Sequence, residues 1–284
     1  MHRLLIASLR YLNLRFVYLG MALFVVPFYM LLARRGYRSM YHYFRLRHGY
    51  GAVRSFCGVY LNHYRFGQVI IDRFAAYAGR RFQMEPDGYS EFERAVSAPQ
   101  GIVILSCHVG NYELAGYTFR STEKRYSALV YSGEAQAVME NRQRLLQPNN
   151  MRMIPVSSDM SHVFVLNEAL DNGEIVSIPA DRLFGSPRYV ECDLLGSKAR
   201  FPLGPYALAL QREAPTLALF VMKESAYRYK VYIRRIEADP LPYKNRKEQA
   251  ANLAQHFAYE LETILRKYPE QWFNYYEFWN HDRQ

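Results

Sequence analysis

Cysteine is scarce in this chain of 284 residues, which contains only three. Cys57, Cys107 and Cys192 are an odd number at wide spacings, which excludes a disulfide framework and the short-spaced pairs of a zinc site. A reducing compartment is therefore expected. Cys107 directly precedes His108, but adjacent side chains point in different directions, so a cysteine–histidine nucleophile is not expected either.

Acidic residues are also in short supply, because 26 Asp and Glu face 36 Lys and Arg, which gives a formal net charge of +10. A basic excess suits nucleic acid, anionic lipid or an acidic carrier protein. The basic residues are scattered, as on a solvated surface, and no nucleic-acid-binding motif is present, so nucleic acid is not an expected partner. The chain also has no internal repeat and no low-complexity linker, which favours one main domain.

Charge is absent from Phe16 to Ala33, and this apolar run reaches the lower limit of about 18 residues for crossing a bilayer. Pro27 predicts a kink or a break in a helix there. Three structures fit the run: a spanning helix, a kinked segment in one leaflet, or a buried core helix. The arginines on both sides favour membrane anchoring, and residues 1–38 are predicted to be the anchor. These arginines are Arg10, Arg15, Arg34, Arg35 and Arg38.

The rest of the chain divides into a helical lead-in, 39–100, and an alternating part, 101–284. The lead-in is predicted to contain a turn at Met84–Tyr89, where proline, aspartate and glycine cluster. The alternation of short apolar runs with helix-length segments predicts an α/β core with a mostly parallel central sheet flanked by helices. The predicted strands are Gly101–Ser106, Tyr126–Tyr131, Met151–Val156, Glu174–Ala180, Tyr189–Leu195, Pro215–Lys223 and Tyr229–Ile236. The predicted helices are Tyr112–Arg120, Glu134–Leu146, Ser161–Asn172, Pro205–Arg212 and Lys247–Lys267.

The strongest chemical signal is Ser106-Cys-His-Val-Gly-Asn-Tyr-Glu113, which follows the first of these strands. His108 is expected on the loop after the strand, where parallel sheets place their sites. Asn111 suits the N-cap of the next helix, and Glu113 falls in its first turn, where a negative charge is favoured.

Histidine is the side chain best suited to accept a proton near neutral pH, so His108 is predicted to be a general base. A carboxylate bonded to its second ring nitrogen would fix the tautomer, and Glu113 is the predicted partner. A substrate hydroxyl could then attack a thioester without a serine or cysteine nucleophile. The carbonyl oxygen would need donors from backbone N–H groups or arginine, and Gly110 could leave the backbone open to close approach.

This block resembles the His-x4-Asp/Glu motif of the lysophospholipid acyltransferase superfamily, and most closely the late (lauroyl/myristoyl) acyltransferases of lipid A biosynthesis. Further blocks resemble the same family in the same order as far as the C-terminal Pro-Glu-Gln-Trp. They are Glu140–Arg144, Ile178–Arg182, Leu195–Gly196, Phe201–Pro205 and Pro269–Trp272. The resemblance implies a glycerolipid-acyltransferase-like fold behind an N-terminal membrane-anchoring helix, with 39–284 as the acyltransferase domain.

The resemblance also implies roles for individual residues. His108 matches the catalytic base and Glu113 its acidic partner. Arg144, or else Arg142, matches an arginine that meets phosphate or the oxyanion, although both arginines also suit a solvated helix face. Asp181 matches a later acidic position, although it also suits a turn cap. The substrate-binding candidates are Asn111, Arg142, Arg144, Asp181 and Arg182.

The chain departs from the family pattern at two places. Phe273–Trp279 is aromatic where the lipid A enzymes carry a basic tail, and Pro269–Trp279 is interpreted as an aromatic clamp on the core. Pro148–Asn150 follows the arginine block as an insertion, which blurs whether Arg142 or Arg144 is the family arginine. These departures weaken the case for lipid A itself as the acceptor.

The expected function is transfer of a fatty acyl group from an acyl carrier protein, or coenzyme A, thioester to a hydroxyl of a membrane lipid intermediate. The resemblance implies a bacterial-type inner membrane location on the cytoplasmic face, and no metal or organic cofactor beyond the thioester. Three alternatives stay open. They are acylation of another amphiphile, such as an amino-acid lipid or a polyene-type product; thioester hydrolysis; and lipid binding without catalysis.

Overall fold

The computed structural model describes residues 8–114, 124–130, 150–157, 159–183 and 188–279. The predicted helix Glu134–Leu146, with Arg142 and Arg144, lies outside the described residues, as does the end of the predicted helix Tyr112–Arg120. The other predicted elements fall wholly or mostly within them.

Short helices begin the described chain, and they are α1 (Leu14–Gly20), α2 (Val26–Leu32) and α3 (Arg34–His42). A π-helical turn at Met21–Val25 joins α1 to α2, and a second one at Tyr43–Arg47 follows α3. The first irregular turn ends at Val25, two residues before Pro27, which lies in the first turn of α2. Proline has no N–H for the carbonyl one turn earlier, so regular helix cannot continue through it. The helix is irregular shortly before Pro27 but is not broken there, because Leu14–Leu32 stays helical throughout.

Helix α4 (Ala52–Tyr77) is the long helix of the predicted helical lead-in. It packs against the N-terminal helices, and the Tyr60 hydroxyl donates to the Ala22 carbonyl at 2.8 Å. Tyr18 of α1 reaches across to donate to Asp72, which is fully buried. The described part of the N-terminal segment is thus joined to the rest of the chain through α4, while its division at residue 38 stays a prediction.

The stretch Leu14–Leu32 is long and apolar enough to cross a membrane, with a mean hydropathy of 1.8. Only 22% of its apolar window is buried, unlike the helix of a protein core. Leu14 and Tyr18 face inward, whereas Phe24 and Leu31 are 76% and 74% exposed. An apolar face of this kind is suited to lipid, and the segment is weak support for the predicted membrane association.

Strand β1 (Gln83–Asp87) corrects the turn predicted at Met84–Tyr89. Pro86 fits this strand because β1 pairs with one neighbour only and lies at the edge of the sheet. The change of direction is confined to Gly88, whose φ of 87° is left-handed. Helix α5 (Tyr89–Ser97) begins directly after it.

The remaining elements match predicted ones to within two residues at each end, except for β7, a strand that the sequence pattern does not predict. In chain order they are β2 (Ile102–Ser106), β3 (Tyr126–Val130), β4 (Met151–Pro155), α6 (Ser161–Asp171), β5 (Ile175–Pro179), β6 (Tyr189–Leu194), β7 (Ser197–Pro202), α7 (Leu203–Gln211), β8 (Thr216–Lys223), β9 (Arg228–Arg235) and α8 (Arg246–Lys267). A 3-10 turn, Pro269–Gln271, follows α8.

Seven strands form one sheet in the order β1-β9-β8-β2-β5-β3-β4. Every neighbouring pair is parallel except β8 and β9. Strands β6 and β7 form a separate antiparallel hairpin that turns at Leu195 and Gly196, both with positive φ. The predicted fold class, an α/β protein with a mostly parallel sheet flanked by helices, is confirmed.

Alternate residues of the buried strands supply two apolar cores, one on each face of the sheet. Val103 and Leu105 of β2 belong to the larger core, which includes α6, α7, α8 and the β6–β7 hairpin. Ile102 and Ile104 belong to the smaller core, with α5 and parts of β3 and β4. Because β2 is covered on both faces and lies inside the sheet, the loop after it is held rigidly at the carboxyl edge.

Candidate active site

His108 and Asp181 meet at the carboxyl edge of the sheet because their strands are neighbours. Ser106 at the end of β2 pairs with Pro179 at the end of β5, and each site residue follows two positions later. His108 Nδ1 lies 2.8 Å from Asp181 Oδ1, and the His108 backbone N–H donates to Oδ2 at 3.0 Å. Asp181 thus holds both the ring and the backbone of His108.

Asp181 is completely buried, yet it is held as a carboxylate. Burial by itself would raise its pKa, but the charge and hydrogen bonds of His108, together with the Arg182 charge, lower the pKa below its ordinary value. An ionised Asp181 accepts from Nδ1–H, so the lone pair of the neutral ring is on Nε2. His108 therefore has the tautomer that a general base requires.

Glu113 is held by helix α4. Arg73 Nη1 lies 2.9 Å from Glu113 Oε1, and the Tyr77 hydroxyl donates to Oε2 at 3.1 Å. Arg73 and Tyr77 were not candidates from the sequence, because only long-range packing brings α4 to this loop. Since Asp181 occupies Nδ1 of His108, the role of Glu113 as the partner of that ring stays a prediction.

Asn111 turns into the protein instead of capping the next helix. Its side chain is 1% exposed, and Nδ2 donates to the Tyr229 hydroxyl at 3.3 Å. Its Oδ1 makes no hydrogen bond within the described residues, so the predicted side-chain cap is wrong. Its role in substrate binding stays a prediction, although its position behind the loop suits support of the site.

Gly110 has a positive φ of 60°, and a Cβ there would lie 2.1 Å from the Val221 carbonyl oxygen. The close approach predicted for this glycine is thus made by strand β8. The loop's N–H groups are also committed to protein partners. Gly110 donates to the Gln271 carbonyl at 2.8 Å, and Asn111 donates to the Val221 carbonyl at 2.7 Å. With His108 N–H on Asp181, these three groups cannot act as oxyanion donors.

Arg182 lies beside His108 and connects the loop after β5 to the C-terminal segment. Its Nη2 donates to the Phe273 carbonyl at 2.7 Å, and its guanidinium lies 5.7 Å from the Tyr276 ring centre. Its Nε is buried and makes no hydrogen bond within the described part of the chain. Arg142 and Arg144, the other predicted arginines, cannot be placed because they lie outside the described residues.

The C-terminal segment, interpreted from the sequence as a clamp on the core, contacts the loop that carries His108. Gln271 makes two hydrogen bonds of 2.8 Å to the backbone of Lys223 at the end of β8. Trp272 is 1% exposed and bridges to Val109, and the Phe273 N–H donates to the His108 carbonyl at 3.0 Å. The segment therefore holds the His108 loop from the side opposite Asp181.

A cavity of about 530 Å³ extends from His108 over the sheet. Its polar end includes Arg73, Glu113 and Arg182, and its apolar part follows β3 and β4. The described residues that line it are Phe66, Val69, Arg73, Tyr77, Ser106, His108, Gly110, Tyr112, Glu113, Tyr126, Ala128, Leu129, Val130, Met151, Met153, Val156, Ser177, Pro179, Arg182, Phe273, Tyr275 and Tyr276.

Nucleophilic cysteine chemistry does not fit this cavity. Cys107 is 2% exposed, and burial raises the pKa of its thiol well above the ordinary value, so the thiolate is disfavoured. Among the described residues, no three His, Cys, Asp or Glu side chains cluster in a way that could hold a metal ion.

Comparison with known proteins places this arrangement in a family. The family model described as bacterial lipid A biosynthesis acyltransferase matches residues 74–281. A phosphatidylinositol mannoside acyltransferase of Mycobacterium tuberculosis H37Rv is 25% identical over 131 residues, which is 46% of this chain and 41% of that protein. The protein of the same description from the CDC 1551 strain matches with the same figures. The match spans about two fifths of these relatives' length. Because the family model covers most of the chain, the chain belongs to the bacterial lipid A biosynthesis acyltransferase family.

Proposed function

We propose that the protein transfers a fatty acyl group from a thioester to a hydroxyl of a membrane lipid, with His108 as the general base and Asp181 as its orienting carboxylate. The observation that carries the proposal is the His108–Asp181 pair at the mouth of a largely apolar cavity, in a chain of this family. The similar mycobacterial proteins are named for a glycolipid acceptor, which supports a lipid acceptor here.

The reaction proceeds through one tetrahedral intermediate. His108 Nε2 takes the proton of the acceptor hydroxyl while its oxygen attacks the thioester carbonyl carbon. Asp181 stabilises the imidazolium that forms. The carbon–sulfur bond then breaks, the leaving sulfur takes the proton from Nε2, and the ester and the free thiol are the products. Water in place of the acceptor would give the fatty acid, which is the hydrolase alternative.

Arg182 is the group best placed to stabilise the oxyanion. Three backbone N–H groups of the His108 loop are committed to protein acceptors, so the usual donors are not at hand. Arg73 is neutralised by Glu113, whereas Arg182 faces the same cavity with Nε unbonded in the described residues. A guanidinium beside a developing negative charge stabilises it strongly in a cavity from which water is excluded.

The apolar part of the cavity is proposed to hold the acyl chain. Val130 lies at the carboxyl edge near the site, and Ala128 and Tyr126 follow deeper along the same face of β3. Met153 and Met151 pair with Ala128 and Tyr126 from β4. Four residue steps along a strand cover about 13 Å, which gives a groove with room for a long chain.

Substitution of Ala128 is expected to shorten the preferred acyl chain. A phenylalanine there would block the groove beyond Val130, so the preference should move to chains shorter by several carbons. Each lost methylene contact costs about 0.8 kcal/mol. Competition between acyl thioesters of different length, read by mass spectrometry of the products, measures the shift. Ala128→Val is the graded control, with a smaller shift. An unchanged preference in both variants would mean that the chain binds elsewhere.

Glu113→Gln is expected to reduce kcat/KM by about tenfold or more, and Glu113→Asp by less. The amide would leave the Arg73 guanidinium, 17% exposed in its side chain, without its counter-charge. Melting curves separate this loss from unfolding. Glu91→Gln is the matched control, because it breaks a comparable ion pair with Arg94 away from the cavity. If the kcat/KM of Glu113→Gln equals that of wild type while the kcat/KM of Glu113→Asp does not, the length of this side chain matters and its charge does not.

The donor is proposed to be an acyl carrier protein, with coenzyme A as the alternative. A net charge of +10 favours an acidic protein partner through electrostatic steering. Raising the salt concentration should slow a carrier-protein reaction more than a coenzyme A reaction, because more charges are screened.

Residues 1–38 are proposed to hold the enzyme at the cytoplasmic face of a bacterial inner membrane. The exposed apolar side of Leu14–Leu32 supports this, because a lipid acceptor is concentrated in the bilayer. The full chain should float with phospholipid vesicles, and a Phe24→Ser, Phe28→Ser, Leu31→Ser variant should float far less at an unchanged melting temperature. Equal flotation would contradict the anchor.

The whole proposal is tested with purified full-length protein, acyl-carrier and coenzyme A thioesters, and a panel of lysolipids and lipid A precursors. Mass spectrometry should find an acceptor that gains one acyl group. Free fatty acid alone would support hydrolysis, and unconsumed thioester would support a lipid-binding protein. An acylated product outside the panel's lipid classes, found in extracts, would support another amphiphile.

A further inference from the structure

A second cavity, of about 440 Å³, lies behind the C-terminal segment and is separate from the His108 cavity. It is formed between the end of α3, the following π-turn, and Trp272–Trp279. Tyr276 lines both cavities, so the C-terminal segment is the wall between them. None of the residues proposed for acyl transfer lies in this second cavity.

Its walls contain buried polar groups that lack partners within the described part of the chain. Tyr43, Trp272 and Asn274 are 3%, 1% and 2% exposed. The Tyr43 hydroxyl and the N–H groups of Trp272 and Trp279 make no hydrogen bond there, whereas the Asn274 side chain hydrogen-bonds with Tyr276. A buried polar group without a hydrogen-bond partner lowers the stability of the fold, because it has lost its bonds to water. Several such groups around one cavity therefore indicate a bound polar molecule.

The charge of the cavity indicates an anion. Arg47 lies 4.4 Å from the Trp279 ring centre and donates to Ser197, and it has no carboxylate partner among the described residues. Burial lowers the pKa of Arg47, as for a cation without a counter-charge. The carboxylate in the cavity, Glu277, lies 3.0 Å from His42 Nδ1. Arg200 also lines the cavity and lies 3.5 Å from Glu191. Hydroxyl, indole and guanidinium donors thus outnumber acceptors.

The position of the cavity relates it to the membrane segment. Ser39 and His42 line it from α3, which directly follows the apolar stretch Leu14–Leu32. Ser39 lies five residues after Arg34, the first residue of α3, which is about 7.5 Å of helix and close to the depth of a headgroup layer. Leu46 at the cavity is 69% exposed, which gives the opening an apolar side.

We propose that this cavity binds a phosphate ester through Arg47 and the Tyr43, Trp272 and Trp279 donors. A membrane phospholipid headgroup is the favoured source because of the neighbouring apolar segment. A soluble phosphate is the other source of the same chemistry. Guanidinium and N–H donors around one anion are the usual means of phosphate recognition. Binding here would also fix the C-terminal segment that closes the catalytic cavity.

The chain supplies its own probe, because Trp272 and Trp279 are its only two tryptophans and both line this cavity. Full-length protein in non-ionic micelles is titrated with dioleoylphosphatidylglycerol, with dioleoylglycerol, and with inorganic phosphate at constant ionic strength. We expect a saturable change in tryptophan emission with the phospholipid and none with dioleoylglycerol. A response to inorganic phosphate alone would assign the site to soluble phosphates.

Arg47→Gln should weaken this binding by about tenfold or more, since charge-assisted hydrogen bonds are lost. Arg45→Gln is the matched control, with the same charge change at an exposed side chain that donates to the Tyr50 carbonyl. If Arg47→Gln fails to fold, Tyr43→Phe takes its place. It should weaken the binding of the phospholipid, and Tyr41→Phe, its control, should not.

The proposal is overturned if neither phosphate ligand gives a saturable response, or if dioleoylglycerol gives the same response. Equal affinity of the Arg47 and Arg45 variants overturns it too. Because no turnover is measured, these results are independent of whether the protein transfers acyl groups.

Discussion

His108→Ala is expected to reduce acyl transfer by at least about 100-fold, the lower end of general acid–base catalysis, and to leave the protein folded. His108 has one side on the cavity, and its ring supports no apolar core, so its loss removes the proton acceptor with little loss of packing. Initial rates with a saturating thioester, together with a melting curve, measure both quantities.

Asp181→Asn should cause a loss of similar or larger size. An asparagine keeps the shape, but its amide can donate to Nδ1 and thereby favour the ring tautomer with its proton on Nε2. His108 and Arg182 lower the pKa of Asp181, so its carboxylate stays ionised even when the pH falls to the ordinary pKa of an aspartate. The loss in Asp181→Asn should therefore be present across the whole pH range in which wild type is active.

A second histidine–aspartate pair provides the control. His256 Nε2 lies 3.1 Å from Asp239 Oδ1, with both side chains more than a third exposed and away from the cavity. His256→Ala should keep transfer within about twofold of wild type, as for most surface substitutions. Near wild-type turnover in a folded His108→Ala protein would remove His108 from the mechanism. A melting loss with normal specific activity in Asp181→Asn would make Asp181 structural.

The sequence predicts the strands that place the site residues but not the contact between His108 and Asp181, because Glu113 is the partner that it predicts for His108. Gly101–Ser106 and Glu174–Ala180 are apolar runs, and residues after two such runs meet when the strands are neighbours in a parallel sheet. That rule brings His108 and Asp181 together. The rule applies to His108 and Asp181 because β2 pairs with β5. Periodicity alone does not predict that these two strands are neighbours.

The contribution of α4 could not be predicted in this way. Arg73 and Tyr77 lie in a long helix whose pattern shows which face is buried, but not against what. Asn111 shows the same limit in another form. Its residue type favours a cap, yet the buried hydroxyl of Tyr229 binds its amide from a strand more than a hundred positions away. Local propensity is overridden wherever a tertiary partner competes for the same side chain.

A buried ion pair behind the site carries the largest expected effect on stability. Lys223 and Asp72 have fully buried side chains and pair directly. The hydroxyls of Tyr18 and Tyr229 also donate to Asp72. Burial raises the pKa of Asp72 and lowers that of Lys223, so each depends on the other to stay charged.

Lys223→Met is expected to lower the free energy of unfolding by roughly 3–5 kcal/mol, because it leaves the Asp72 carboxylate buried without its counter-charge. For a chain of this size that corresponds to a fall in Tm of roughly 10 °C. Thermal unfolding in detergent measures the fall. The exposed pair Lys198–Asp193 is the control, and Lys198→Met should change Tm little.

The double variant Asp72→Asn, Lys223→Met separates charge from packing. An asparagine is neutral; its amide oxygen accepts from one of the two tyrosine hydroxyls and its NH2 donates to the other, so most of the lost stability should return, as it does when both charges of a buried pair are replaced. Tyr229 also binds Asn111, and the Lys223 backbone holds Gln271, so the pair supports the His108 loop from below. The single variant should therefore lose activity along with stability, and the double variant should regain both. A double variant no more stable than Lys223→Met would show that the lysine stem, and not the ion pair, stabilises this part of the fold.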